Sequence, residues 1–128
     1  MDKIRIPDGY KPELHEIEVA KILVGRFDCE IEFLRPSNSY KVSTPDIEMR
    51  GQLWEIKSPL GCAKHTIQEQ FKRSSKQSCN IIIDGQRSKR SDEDLVKDIQ
   101  KEIKLHKTKR RVLFITKDKK VLDMGKRG

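Results

Sequence analysis

The stretch from Thr44 to Pro59 constrains the fold more than any other part of the sequence. Apolar residues lie on both sides of an Arg50-Gly51 pair, at positions 47, 49, 53 and 56. A glycine-containing pair between two short apolar segments is typical of a β-hairpin. We therefore predict a hairpin with its turn at Arg50-Gly51, with Asp46 at the start of its first strand.

Charged side chains share one face of the second predicted strand. Glu55 and Lys57 are two residues apart, so their side chains lie on one face and those of Trp54 and Ile56 on the other. Together with Asp46, this arrangement allows two carboxylates and an ammonium group to converge on one side of a sheet. Such oxygen ligands suit a hard divalent cation, beside a cationic group that positions or activates a water.

An acidic residue two positions before a lysine occurs three times in this chain. Glu102-Lys104 lies in a charged helical run, where such pairs are common on the exposed surface. Asp118-Lys120 lies in a lysine-rich turn. Only Glu55-Lys57 lies on an apolar strand shortly after a Pro-Asp pair. The alternative for Glu55-Lys57 is an ion pair on a solvated sheet face, and we place the catalytic interpretation ahead of it.

Several segments of the chain resemble one known family. Pro45-Asp46 followed by Glu55-Ile56-Lys57 matches the signature of the PD-(D/E)xK nuclease superfamily. The wider matching segments are Pro36-Ser-Asn-Ser, Thr44-Pro-Asp-Ile, Trp54-Glu-Ile-Lys-Ser-Pro, Thr66-Ile-Gln, and Asn80-Ile-Ile-Ile-Asp84 followed by Arg87-Ser-Lys. From about residue 12 to residue 123, the sequence resembles the C-terminal tRNA-nuclease domain of CdiA-type contact-dependent inhibition toxins.

This resemblance implies a metal-dependent endonuclease that cleaves tRNA and has a cognate immunity protein as partner. Asp46 and Glu55 would coordinate Mg²⁺ or another divalent cation, with the Ile56 carbonyl as a further ligand. Lys57 would orient or activate the nucleophile and stabilise negative charge in the transition state.

The resemblance also assigns two residues on predicted helices. An acidic residue on the first helix often completes the metal shell in this superfamily, and Glu16 is the candidate, with Glu13 or Glu18 as substitutes. The alternative for Glu16 is purely structural, since the positive end of a helix favours carboxylates. Gln68 is the candidate polar helper beside the Glu-x-Lys strand, and its alternative is an ordinary exposed glutamine.

The distribution of charge favours a polyanionic partner. The net charge is +8, and residues 61–128 hold 19 Lys/Arg against 9 Asp/Glu, whereas residues 1–60 hold 9 against 11. A basic half of this kind is typical of nucleic-acid binding. The competing interpretations are simple solubility and an anionic membrane surface, of which membrane binding is the weaker. The candidate nucleic-acid contacts are basic residues of this half: Arg87, Lys89, Arg90, Lys64 and Lys72.

Folded RNA fits the composition better than single strands do, because only 5% of the residues are aromatic and can stack on bases. A DNA endonuclease or resolvase of the same fold, and a non-catalytic nucleic-acid-binding module, remain the alternatives. No apolar run approaches the length needed to span a membrane, and the first residues do not form a signal peptide, so we expect no membrane contact. We also expect a monomer. Its expected location is the cytosol, including that of a target cell after delivery by a larger toxin.

The length of 128 residues predicts one domain. Pro7, Gly9 and Pro12 predict a loose arm over residues 1–12, followed by a single domain over residues 13–128. Helical periodicity begins at Glu13, continues through Leu14, Ile17, Ala20 or Lys21, and Val24, and ends at Gly25. A second helix is predicted over about residues 64–76. The remaining patterns give the order α-β-β-β-α-β-α-β-β, which predicts an α/β fold, a restriction-endonuclease-like mixed sheet flanked by helices.

Overall fold

The computed structural model describes residues 3–35, 45–61, 67–68, 80–106 and 111–124. Its elements are β1 (Ile4–Arg5), α1 (Leu14–Phe27), β2 (Ile31–Phe33), β3 (Ile47–Met49), β4 (Gln52–Lys57), β5 (Asn80–Asp84), α2 (Asp92–His106), β6 (Val112–Ile115) and β7 (Val121–Asp123). Ile67 and Gln68, between β4 and β5, are also helical. Neither α1 nor α2 has the length and apolar content needed to cross a membrane.

The seven strands form one mixed sheet in which the spatial order follows the sequence order. β1 pairs with β2 in parallel, β2, β3 and β4 are antiparallel, β4, β5 and β6 are parallel, and β7 returns antiparallel to β6. This confirms the predicted α/β class and mixed sheet. The predicted helix over residues 64–76 lies mostly outside the described residues, together with Lys64 and Lys72.

The hairpin of β3 and β4 confirms the prediction for its turn. Met49 pairs with Gln52, so Arg50 and Gly51 form a two-residue connection. Both have positive φ angles, 56° and 78°, which is the type I′ geometry that matches the twist of the flanking strands. Glycine adopts this conformation freely, whereas an arginine held there costs about 1 kcal/mol.

Both faces of the sheet are covered by apolar residues. One face, which we call the α1 face, packs Trp54, Ile56 and Ile82 against α1. The other, the α2 face, packs Ile81 and Ile83 against α2 and Ile67; its cluster also contains Leu95, Ile99, Val112 and Phe114. β5 is therefore buried on both sides, as its continuous apolar run predicts.

The first helix differs from the prediction at both ends. Gly25 does not end α1, which continues to Phe27 and terminates at Asp28 with left-handed backbone angles. Leu14 was expected on the inward stripe, but it is 82% exposed. The buried residues of α1 are Val19, Ala20 and Leu23. The 3.6-residue period therefore predicted the helix and most of its inward face, since Ala20 is buried and Ile17 and Val24 pack against the same cluster.

The expectation of a loose arm over residues 1–12 was wrong for its first part. Ile4 and Arg5 pair with Ile31 and Glu32 in the sheet, and the Ile31 N–H donates to the Lys3 carbonyl at 2.7 Å. The Arg35 side chain also donates to the Asp8 carbonyl. The partners of this strand lie about 27 residues away, so no local pattern in residues 1–12 could indicate it.

We predict opposite effects for alanine at two glycines. A Cβ on Gly85 would lie 2.6 Å from Phe114 Cε1 and 3.1 Å from the Ile115 carbonyl oxygen, so Gly85→Ala should lower the free energy of unfolding by about 1–3 kcal/mol. Gly25 has no atom within 4 Å of such a Cβ, and Gly25→Ala should raise that free energy by about 0.5–1 kcal/mol. Urea denaturation of both variants measures the two changes, and equal effects would contradict the packing explanation.

Candidate active site

The site predicted from the sequence lies at one edge of the sheet. β4 ends at Lys57 and the parallel β5 ends at Asp84, so both carboxyl ends reach the same edge. Asp46 immediately precedes β3, and its backbone N–H donates to the Trp54 carbonyl at 2.9 Å. The hairpin register therefore places Asp46 beside β4. We call the region defined by Asp46, Glu55 and Lys57 the carboxylate edge.

The Asp46 carboxyl group is held in place by the backbone of β4. Its Oδ2 accepts the N–H of Ile56 at 2.7 Å. Burial raises the pKa of Asp46 to about 6; the Ile56 hydrogen bond and Lys57 oppose the rise, while the nearby Glu16 and Glu55 carboxylates add to it. Strongly raised carboxyl pKa values are typical of functional sites, although structural networks produce them too.

Glu55 and Lys57 form an ion pair in which Lys57 Nζ lies 3.7 Å from Glu55 Oε2. The side chains are only 5% and 23% exposed. Their Cα partners on β5 are Ile81 and Ile83, which places them on the α2 face, as their spacing predicts. The alternative of an ion pair on a solvated face therefore does not describe Glu55. Burying such a pair rarely adds stability, so a chemical role is the better explanation for its presence.

Glu16 lies in the first turn of α1, where its carboxylate accepts the backbone N–H of Glu13 at 3.1 Å. This is the structural role that the helix start offers an acidic side chain. Its charge also acts on Asp46. Within the described ranges, however, no three His, Cys, Asp or Glu side chains form a group that could hold a metal. A metal role for Glu16, or for Glu13 or Glu18 in its place, stays a prediction.

Two carboxylates are nevertheless a sufficient protein contribution for one kind of ion. Mg²⁺ keeps several of its waters and is usually held by one or two carboxylates together with substrate phosphates. Asp46 and Glu55 fit this description, since both lie at the carboxylate edge and the charge of Glu55 acts on the Asp46 carboxyl group. The donor set of hard oxygens also matches Mg²⁺ better than a thiophilic metal.

Gln68 lies on the α2 side of the sheet with the Glu55-Lys57 pair. Its neighbour Ile67 is fully buried against Ile81 and Ile83, the partners of Glu55 and Lys57. Gln68 itself is exposed. Ile67 thus places this helical segment on the α2 side, and the catalytic role of Gln68 stays a prediction.

Sequence reasoning did not identify Asp84 as part of this edge. Asp84 is buried; its Oδ2 accepts the Ser58 hydroxyl at 3.1 Å, and its Oδ1 accepts both the backbone and side-chain N–H groups of Gln86 at 3.0 Å. Asp84 therefore ties the residue after Lys57 to the loop after β5. The available signal was an aspartate that ends a continuous apolar strand.

Tyr10 was also missed, because it lies in the segment expected to be a loose arm. It is partly buried against the α1-face cluster. Burial raises the pKa of its phenol, and the charges of Glu16, Asp46 and Glu13 contribute to the rise. The phenol therefore lies near Glu16 and near Asp46 of the carboxylate edge.

The basic loop after β5 contains three of the predicted nucleic-acid contacts, and their side chains differ in solvent exposure. Arg87 and Lys89 are exposed. The Arg90 side chain is 14% exposed and its Nη2 lies 2.9 Å from Asp98 Oδ2, so this arginine joins the loop to α2. Lys117 also holds the loop, since its Nζ donates to the carbonyls of Gly85 at 3.0 Å and Arg90 at 2.6 Å.

Comparisons with known proteins agree with this architecture. A solved structure described as a CdiA-CT/CdiI toxin and immunity complex from Burkholderia pseudomallei contains a chain similar to this one, with a TM-score of 0.66 and 19% sequence identity over 94% of this chain and 96% of that chain. This similarity shows a shared fold. No curated protein sequence matches. The family described as contact-dependent growth inhibition CdiA C-terminal domain matches residues 43–121, more than half of the sequence, and the chain therefore belongs to that family.

Proposed function

We propose that this domain is a metal-dependent endoribonuclease of the PD-(D/E)xK type that cleaves tRNA as a growth-inhibition toxin. The observation that carries the proposal is the nearly buried Glu55, 3.7 Å from Lys57 at the end of β4, with Asp46 held against the same strand. Two carboxylates and an ammonium group at one sheet edge are the groups that metal-assisted phosphodiester hydrolysis requires. Family membership supports the toxin assignment.

Each group of the carboxylate edge has a distinct task in this proposal. Asp46 and Glu55 hold Mg²⁺ or another divalent cation, with the Ile56 carbonyl as a further ligand. The bound ion supplies positive charge that stabilises the reacting phosphate. Lys57 orients the attacking oxygen and neutralises the negative charge that builds during cleavage, and its partly buried position strengthens both interactions.

Substrate selection in the proposal depends on charge and shape. The chain carries a net charge of +8, and Arg87 and Lys89 extend from the loop at the carboxyl end of β5, close to the carboxylate edge. Phosphate contacts from such side chains position a nucleic acid without reading its sequence. The low aromatic content favours a folded substrate over single strands. The resemblance to tRNA nucleases makes tRNA the proposed substrate.

Incubating the purified domain with total tRNA and with plasmid DNA, each with Mg²⁺ or with EDTA, tests the proposal. We expect discrete tRNA fragments that disappear in EDTA, beside intact plasmid. Fragments that persist in EDTA would support a ribonuclease that cleaves without a metal ion. Cut plasmid beside intact tRNA would favour the DNA endonuclease, and intact substrates throughout would favour the binding module.

As a toxin, the domain would act in the cytosol of a target cell and require a neutralising partner in the cell that makes it. The similar chain from Burkholderia pseudomallei was solved with an immunity protein. We propose a cognate immunity protein that covers either the carboxylate edge or the basic loop, because both must stay accessible for cleavage. Co-expression with such a partner is expected to restore growth of cells that produce the domain.

A further inference from the structure

We propose that a pocket at the far end of the hairpin binds a phosphate group of the substrate RNA, away from the bond that is cut. The cavity has a volume of about 160 Å³ and is lined by Phe27, Trp54, Arg50, Arg111 and Gln52, among others. We call it the hairpin pocket. This inference depends on the proposed function for the identity of its ligand.

The hairpin pocket lies at the opposite end of β4 from the carboxylate edge. Gln52 begins this strand and Lys57 ends it, and a strand rises about 3.3 Å per residue, so the two sites are roughly 17 Å apart along the strand. Trp54 places the pocket on the α1 face, whereas Glu55 and Lys57 lie on the α2 face. That separation excludes contact with the scissile phosphate. A folded RNA bound at the carboxylate edge presents further phosphates at this distance.

Both arginines of the pocket lie over aromatic rings. The guanidinium carbon of Arg50 lies 5.3 Å from the centre of the Phe27 ring, and that of Arg111 lies 5.8 Å from the Trp54 ring. A stacked guanidinium interacts with the ring through its flat face and keeps its N–H groups, which lie in its plane, for a ligand. Such a fork matches the geometry of a phosphate.

The two arginines differ in how their charge is balanced. Arg111 Nη2 lies 2.7 Å from Asp123 Oδ2, so its charge is largely neutralised. Arg50 is exposed, and no ion pair joins it to a carboxylate in the described parts of the chain. The unbalanced positive charge of the pocket therefore belongs to Arg50, and a phosphate would compensate it.

The backbone of the turn adds an independent observation. Arg50 has a φ of 56°, at the first turn position, where asparagine, aspartate or glycine is favoured. A residue held in an unfavourable conformation points to a role for its side chain. On its other side Arg50 borders a second cavity, which is lined by Glu30, Glu32 and Glu48 together with Arg5.

The test measures tRNA binding in the Lys57→Ala background with EDTA, so that cleavage does not interfere. Adding Arg50→Asn is expected to raise the Kd for tRNA about tenfold at 0.1 M salt. The slope of log affinity against log salt concentration should become shallower by about one, which corresponds to the loss of one phosphate contact. Because asparagine is favoured in this turn, the unfolding midpoint should not fall. The matched control is Lys97→Gln, which removes one exposed charge from α2 and should change the Kd less than twofold.

Equal tRNA affinities of the Arg50→Asn and Lys97→Gln variants would contradict phosphate binding in the hairpin pocket. A loss of affinity that appears only together with a lowered unfolding midpoint would contradict it as well. The cleavage assay is independent of this comparison. If the original protein leaves tRNA intact but Arg50→Asn still weakens tRNA binding, the proposed nuclease fails and the pocket stands. If tRNA is cut and Arg50→Asn binds normally, the nuclease stands and the pocket fails.

Discussion

Replacing Lys57 by alanine is expected to lower the rate of tRNA cleavage by roughly two to three orders of magnitude, the usual loss when a preorganised charge-stabilising group is removed. The Lys57 side chain is 23% exposed and lies 3.7 Å from a nearly buried carboxylate. An ammonium group in this position interacts with developing negative charge more strongly than it would in water. Single-turnover cleavage of tRNA at saturating enzyme measures the effect directly.

The Lys57→Ala variant also leaves Glu55 without this cation, so its folding must be checked by circular dichroism. Lys57→Arg is the second variant, because it keeps the charge and the ion pair but changes the position of the donor groups. We expect it to fold normally and still to cleave slowly. Lys120→Ala is the matched control, since Lys120 also follows an acidic residue by two positions but is exposed in a turn. Comparable losses at Lys57 and Lys120 would contradict the assignment.

Replacing Asp46 by asparagine is expected to abolish metal-dependent cleavage and, without metal, to make the protein more stable above pH 6. Burial raises the pKa of Asp46 from 3.8 to about 6, so the folded protein binds the proton more tightly than the unfolded chain. The stability that this proton provides is complete below pH 3.8 and is lost as the pH rises to about 6. The ionised carboxylate therefore costs about 3 kcal/mol at pH 7.

Asparagine avoids this cost and its side-chain oxygen can still accept the Ile56 N–H that Asp46 accepts. Urea denaturation in EDTA should therefore show a gain for Asp46→Asn at pH 7 that shrinks towards pH 4. Asp118→Asn, in the exposed turn after β6, is the control without this pH dependence. A gain that is equal at both pH values, or a variant that still cleaves tRNA with Mg²⁺, would contradict the role of Asp46.

The features that sequence could predict are those encoded by neighbouring residues. The Arg50-Gly51 turn, the alternation along β4 and the continuous apolar run of β5 each depend on a few adjacent positions, and all three are present in the structure. The shared face of Glu55 and Lys57 follows from the two-residue period of a strand alone. The central part of the candidate site was therefore predictable.

The features that sequence could not predict depend on partners far along the chain. Ile4–Arg5 becomes a strand only because β2 accepts it. Arg90 is indistinguishable from Arg87 in the sequence, yet Asp98 on α2 pairs with it and withdraws it from solvent. Asp84 acquires its role from Ser58, which is 26 positions away. Each contact is set by tertiary packing, which no local pattern reports.

The sequential order of the seven strands has a consequence for how the domain regains its fold. Every strand pairs with the next strand along the chain, so no later segment has to insert between strands that have already paired. Folding can then proceed by adding neighbouring strands, with chain closures no longer than one crossover, and short closures favour rapid folding. A toxin domain that loses its structure while entering another cell would need only such local steps to become active there.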